Sequence, residues 1–156
     1  MESCCAPNAN EAIALPTCPE CGERGRNVDR ITLKALLRPD ALMRITAGAY
    51  LFCPTATCDV VYFATSSIFR RQDVVVPVFQ KEPAGERTVC YCFAIGELAL
   101  RKEIEQSGFS TAPDRITDLV KADRCACEVK NPQGTCCLGN VNTVVKDLLA
   151  VVAPAR

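Results

Sequence analysis

The 156 residues carry 18 basic and 18 acidic side chains, so the net charge is zero, and the pI is near 6.3. That balance lacks the basic excess on which nucleic-acid and membrane-surface binding depend, and neither partner is expected. Twelve cysteines and no histidine are the anomaly: a metal site here must be dominated by thiolates, and no reaction can draw on an imidazole base, so catalysis by a cysteine nucleophile is not expected.

Taken in chain order, the opening stretch MESCCAPNANEAIALPTC is acidic at position 2 and has no basic n-region and no apolar run of signal-peptide length. This predicts a chain that stays in the cytoplasm. No segment reaches membrane-spanning length; VVKDLLAVVAP, the most apolar, is short and contains Lys146 and Asp147. In a reducing compartment clustered cysteines are read as metal ligands or redox thiols before disulfides. Residues 1–17 are expected to be a flexible N-terminus bearing the vicinal pair Cys4-Cys5. Adjacent cysteines close a strained disulfide ring, but two neighbouring thiolates suit a soft ion such as Cu(I) or Hg(II), which makes the pair a candidate capture site.

Residues 18–80 read as a β-rich module. RITLKALL has apolar residues at mixed spacing and fits either a strand or a helix, whereas AYLFC and DVVYFAT, rich in Val, Tyr and Phe, predict strands on either side of a cysteine loop that holds Pro54. QDVVVPVFQ predicts a further short strand, placed at an edge or bend by Pro77. Two cysteine knuckles, Cys18-x2-Cys21 and Cys53-x4-Cys58, each let two sulfurs converge on one ion. Together they supply the closed tetrahedral shell of four thiolates that structural Zn2+ prefers, and a core this small needs such a staple.

QKEPAGE, Gln80 to Glu86, combines Pro, Gly and charge and predicts a turn or linker. Residues 87–152 read as a helical module with three helices. GELALRKEIEQSG places Leu98 and Ile104 on one face and stops at Ser107-Gly108; PDRITDLVKAD has Pro113 in its first turn; NVNTVVKDLLAVVA opens on Asn140 as N-cap. The fold class is therefore α+β: a small β-rich zinc-binding module followed by a small helical one.

The remaining cysteines, Cys90, Cys92, Cys125, Cys127, Cys136 and Cys137, lie in this second block. VCYCF precedes the helix near Gly96, and Cys136-Cys137 precedes the helix near Asn140, so both groups fall at helix N-termini, where free N–H groups favour negative charge. An iron–sulfur cluster held by four thiolates is such an anion, and backbone N–H groups on its sulfurs would tune its potential.

VCYCF, a helix, a spacer and then CEVKNPQGTCC closely resemble the N-terminal module of the CopZ copper chaperones, which carries a zinc and a [2Fe-2S] cluster; CPEC and FCPTATCDVVYF look like the zinc half of that family. The second half is also similar to bacterioferritin-associated ferredoxins, which share the C-x-C start and a distant cysteine pair. The resemblance implies cluster ligands Cys90, Cys92, Cys127 and Cys137 and zinc ligands Cys18, Cys21, Cys53 and Cys58. Cys125 and Cys136 are then spares, although the C-x-C of residues 125–127 and the vicinal pair 136–137 each offer two candidates for one ligand position. The family joins this module to a heavy-metal-associated domain with a C-x2-C copper loop; the 156 residues contain no such segment, and the resemblance is carried over to the module alone. SCCA at the N-terminus looks like the vicinal-cysteine tail of mercuric reductases.

The implied function is a redox protein of copper or other soft-metal homeostasis, with zinc holding the fold and the cluster passing single electrons, as in the reduction of Cu(II) to Cu(I). Its partners would be copper or another soft metal ion and a metal-transporting ATPase, a separate heavy-metal-associated domain protein or a reductase. A mercury or copper carrier working through Cys4-Cys5, and a plain ferredoxin-like electron carrier, are the alternatives.

Overall fold

The computed structural model describes residues 16–152 of the chain. Its first half is built on a four-stranded antiparallel sheet in the order β1 (Arg26–Val28), β2 (Tyr50–Phe52), β3 (Val60–Phe63) and β4 (Ile68–Arg70). Between β1 and β2 lie two short helices, α1 (Arg30–Leu36) and α2 (Pro39–Leu42). RITLKALL thus resolves to a helix. Its start is decided by Asp29, whose carboxylate accepts the Ile31 N–H at 2.9 Å, and its inner face by Thr32, Leu33 and Leu36, all buried.

Alternation sorts the strand side chains between two cores. Tyr50 and Phe52 pack with Val28, Leu33, Leu36 and Phe69, whereas Leu51 packs with Cys18, Cys53, Cys58 and Phe63. The register of β3 against β4 shifts between Val60 and Tyr62. That bulge lets the consecutive Val61 and Tyr62 both join the first core while Val60 and Phe63 join the cysteine side.

The stretch QDVVVPVFQ is not the strand expected from its valines. Arg71–Asp73 and Phe79–Lys81 are single 3₁₀ turns, and only Val74 makes a bridge, to Leu37. Asp73 is the reason at one end: it is buried, accepts the Arg70 N–H at 2.8 Å and pairs with Arg44 at 2.7 Å, which closes a turn where a strand would extend. Pro77 is the reason at the other, because it brings no N–H to a ladder.

The second half begins with a small hairpin, β5 (Thr88–Cys90) and β6 (Ile95–Gly96), followed by α3 (Glu97–Ser107), α4 (Ala112–Lys121), the single-turn α5 (Cys127–Lys130) and α6 (Leu138–Val151). Helix α3 ends at Gly108 in the left-handed region, as the sequence predicts, and begins with Glu97 held by Arg87 at 2.9 Å and by the Gly85 N–H at 2.9 Å. Its inner residues are Leu100 and Ile104; Leu98, expected on that face, is 47% exposed. Helix α6 starts at Leu138 with Cys137 as N-cap, three residues before the expected cap Asn140, which turns its amide to Gln133 Oε1 at 3.0 Å.

The Asn131-Pro132-Gln133-Gly134 turn fastens the two halves together. Tyr62 in β3 donates its hydroxyl to the Pro132 carbonyl at 2.6 Å, and α1 packs against α5. Gly134 has φ +73, and a Cβ there would lie 2.9 Å from Val28 Cγ2 and 3.0 Å from Thr32 Oγ1. Asn131 and Gln133 are buried and spend their amides on the Thr135 and Cys136 carbonyls, at 2.9 and 3.1 Å.

Replacing Gly134 by Ala combines left-handed strain with overpacking and is expected to cost about 2 kcal/mol or more in urea unfolding, against about 1 kcal/mol for Gly108→Ala, where the space is open. Thr32 Oγ1, buried at the same contact, has no hydrogen-bond partner among the described residues. Thr32→Val is therefore expected to leave stability unchanged or raise it by up to about 1 kcal/mol in the same assay, since an unsatisfied hydroxyl is exchanged for a methyl of the same shape.

Candidate metal centres

The CPEC knuckle sits immediately before β1. It is closed by the Cys18 N–H on the Glu23 carbonyl at 2.8 Å and the Gly22 N–H on the Cys18 carbonyl at 2.9 Å, and its continuation is tied down by the Gly25 N–H on the Pro16 carbonyl at 2.8 Å. The second knuckle is the loop joining β2 to β3, closed by the Cys53 N–H on the Val61 carbonyl at 2.9 Å. Pairing of β1 with β2 brings the two knuckles together. All four sulfurs, of Cys18, Cys21, Cys53 and Cys58, lie within 4.8 Å of one another. Cys18 and Cys58 are 3.9 Å apart and Cys21 and Cys53 3.6 Å, close to the edge of about 3.8 Å of a tetrahedron with Zn–S bonds of about 2.3 Å. The donor set, all soft thiolates with three of the four buried, fits Zn2+.

The thiols of this group do not ionise alike. Burial pushes Cys58 up to about 12, helped by its sulfur neighbours, and burial raises Cys53 as well. Cys21 is lowered to about 7, first by its hydrogen bond with Thr55 Oγ1 at 3.2 Å and then by the Glu23 N–H. Thr55 was not singled out in the sequence; its place inside the Cys53-x4-Cys58 loop is the signal that could have found it.

The second group has a different shape. Cys90 ends β5, Cys92 follows in the turn before β6, Cys127 opens α5 and Cys137 caps α6. The sulfurs of Cys137 and Cys90 lie 2.8 Å apart and those of Cys92 and Cys127 3.3 Å, both too long for a disulfide, and Cys137 also reaches Cys127, so the four are joined in a chain. Among the described residues only the first group has three or more sulfurs all within 4.8 Å of one another, so the second does not close on a single point. Four thiolates spread over two irons is the ligand pattern of a [2Fe-2S] cluster, and a set of sulfurs that does not converge fits that group better than one ion. The Ala126 N–H, 3.2 Å from Cys92 Sγ, is a backbone donor to a sulfur of this group that sequence reading missed. Tyr91, between Cys90 and Cys92, anchors the turn by donating to the Pro77 carbonyl at 2.5 Å and accepting the Phe79 N–H at 3.0 Å.

Hydrogen bonds from Cys137 lower Cys127 to about 5 and Cys90 to about 7, and sharing its proton with both raises Cys137 itself. Burial takes Cys92 to about 12. Cys125 is half-buried and Cys136 exposed, beside these four. Cys4 and Cys5 lie outside the described residues.

Comparison with known proteins follows this division. Residues 15–75 match the CopZ zinc binding domain. Over 120 residues, 77% of the chain, the sequence is 34% identical to the copper chaperone CopZ of Archaeoglobus fulgidus, of whose length it spans 57%. The X-ray structure of the Archaeoglobus fulgidus CopZ N-terminal domain superposes with a TM-score of 0.68 at 29% identity, covering 82% of this chain and 96% of that one.

Zinc binding should release protons. Cys53 and Cys58 are held protonated at neutral pH by burial, and the metal takes only thiolates, so about two protons or more leave per zinc at pH 7.5 and affinity falls as the pH is lowered. Calorimetry in buffers of different ionisation enthalpy measures that number; a value near zero would contradict the geometry of buried thiols.

Proposed function

The chain carries a CopZ-type N-terminal module with a zinc-binding domain, and on that premise we propose that it is a redox protein of copper homeostasis. In this reading Cys18, Cys21, Cys53 and Cys58 hold a structural Zn2+, and Cys90, Cys92, Cys127 and Cys137 hold a [2Fe-2S] cluster. The observation that carries it is the contrast between four sulfurs that meet at a point and four more, linked through Cys137, that do not. The closed sphere leaves no open position, so the zinc works on the fold alone.

When bound, a [2Fe-2S] cluster supplies a one-electron couple, so that with an electron from a reductase Cu(II), the substrate, becomes Cu(I), the ion thiolates accept. The chain's residues prepare that site. The Ala126 N–H stabilises negative charge on Cys92, and Cys137 sits at the start of α6, where unpaired N–H groups favour an anion. Cys90, Cys127 and Cys137 are buried and Cys92 is half-buried, which limits solvent while leaving one edge for a partner. Copper passed on as Cu(I) would go to a metal-transporting ATPase or a heavy-metal-associated domain protein.

A second reading, a carrier of copper or mercury, rests on the vicinal thiols Cys4 and Cys5. Titration of Cu(I) or Hg(II) into the Cys4→Ser/Cys5→Ser variant tests it, with loss of one tight site expected for a carrier and unchanged stoichiometry sinking it.

Anaerobic preparation tests the main reading. Two irons, two sulfides and one zinc per chain are expected, with visible absorbance that bleaches and an S = 1/2 EPR signal that appears on adding dithionite. Cys92→Ser and Cys127→Ser should lose or alter that signal, while Cys125→Ser and Cys136→Ser keep it. Zinc without sulfide would defeat the redox function.

A further inference from the structure

Lys81 is buried, 5% exposed, at the end of the 3₁₀ turn Phe79–Lys81. Its Nζ donates to the Thr55 carbonyl at 2.8 Å, inside the Cys53–Cys58 knuckle, and Thr55 in turn touches Cys21 Sγ through its hydroxyl. An ammonium removed from water is strongly disfavoured unless a negative charge answers it. Among the described residues no carboxylate pairs with Lys81. The adjacent Glu82 is turned to Arg71 at 3.1 Å. Arg70, a cation close enough to feel Cys58, already has Glu20 and Asp59.

Four thiolates and one Zn2+ carry two net negative charges in a largely buried pocket, and that excess needs a cation as much as Lys81 needs an anion. We propose that Lys81 is the counter-charge of the four-cysteine site, its buried ammonium stabilising the zinc–thiolate complex from across the Thr55 carbonyl. The inference rests on the zinc reading of that site. It makes Lys81 a positioning and charge-balancing residue that never touches the metal. It also explains why a lysine occupies a buried position in a segment whose composition reads as a solvated linker.

The test compares Lys81→Gln, Lys81→Met and Lys81→Arg with the parent chain, measuring zinc affinity by competition with a chromophoric chelator and the fold by far-ultraviolet circular dichroism. Gln keeps a hydrogen-bond donor without charge, Met keeps the apolar stem, and Arg keeps the charge. Zinc affinity is expected to fall by about tenfold or more in both the Gln and Met variants, with a parent-like dichroism spectrum, and to stay within about threefold in Arg. Gln binding as tightly as the parent while Met does not would mean that only the hydrogen bond matters, and would overturn the proposal. So would parent-like affinity in both, or an Arg variant as weak as Met. A parent chain that takes up no zinc overturns the zinc reading and this inference with it, whereas a parent holding one zinc with affinity indifferent to Lys81 overturns the inference alone.

Discussion

Four sulfurs drawn to one point by two loops are the constraint on which the rest of this structure depends. The loops bracket the sheet: one leads into β1 and the other is the turn between β2 and β3, so bringing Cys18 and Cys21 to Cys53 and Cys58 sets the pairing of all three strands. The strands are three or four residues long and would be marginal alone. A metal that binds only when they are aligned turns its binding free energy into folding free energy. The apolar residues packed on the cysteines, Leu51, Val60 and Phe63, keep water from the sulfurs, and the same exclusion raises Cys53 and Cys58.

From that sheet the order is passed to the second group of cysteines by contact. Tyr62 reaches from β3 to the Pro132 carbonyl, and Gly134 lies against Val28 and Thr32 with no room for a side chain. The turn held in this way carries Cys127 on one side and Cys136-Cys137 on the other. Gln80, from the connecting segment, joins the same network by donating to Gln133 Oε1 at 2.5 Å. The connection is therefore part of the scaffold: it holds Gln80 on the second site and Lys81 on the first, and Pro77, just before it, accepts from Tyr91.

Much of this was legible in the residues. Cysteine spacing alone brought out the two knuckles, because a knuckle is a local device whose two sulfurs are set by four to six consecutive residues. AYLFC and DVVYFAT form strands and GELALRKEIEQSG a helix ended by Gly108 for equally local reasons. The failures were non-local. QDVVVPVFQ has the valines of a strand but is held in turns by Asp73 and its partner Arg44, a pairing across 29 positions. Asn140 looked like a cap until Gln133 claimed its amide. Lys81 and Thr55 drew no attention in the sequence, since nothing in it shows that one donates to the other. The resemblance to CopZ supplied a choice between Cys125 and Cys127 that spacing left open, and the pairing of Cys127 with Cys92 is consistent with it.

On this reading Cys18, Cys21, Cys53 and Cys58 make a closed sphere of sulfur around zinc. X-ray absorption at the zinc edge of the purified chain tests it most directly. Four sulfur scatterers at about 2.3 Å, with no nitrogen or oxygen in the first shell, are the predicted result. A shell that needs nitrogen or oxygen neighbours, or fewer than four sulfurs, would contradict the convergence of Cys18, Cys21, Cys53 and Cys58 on one ion.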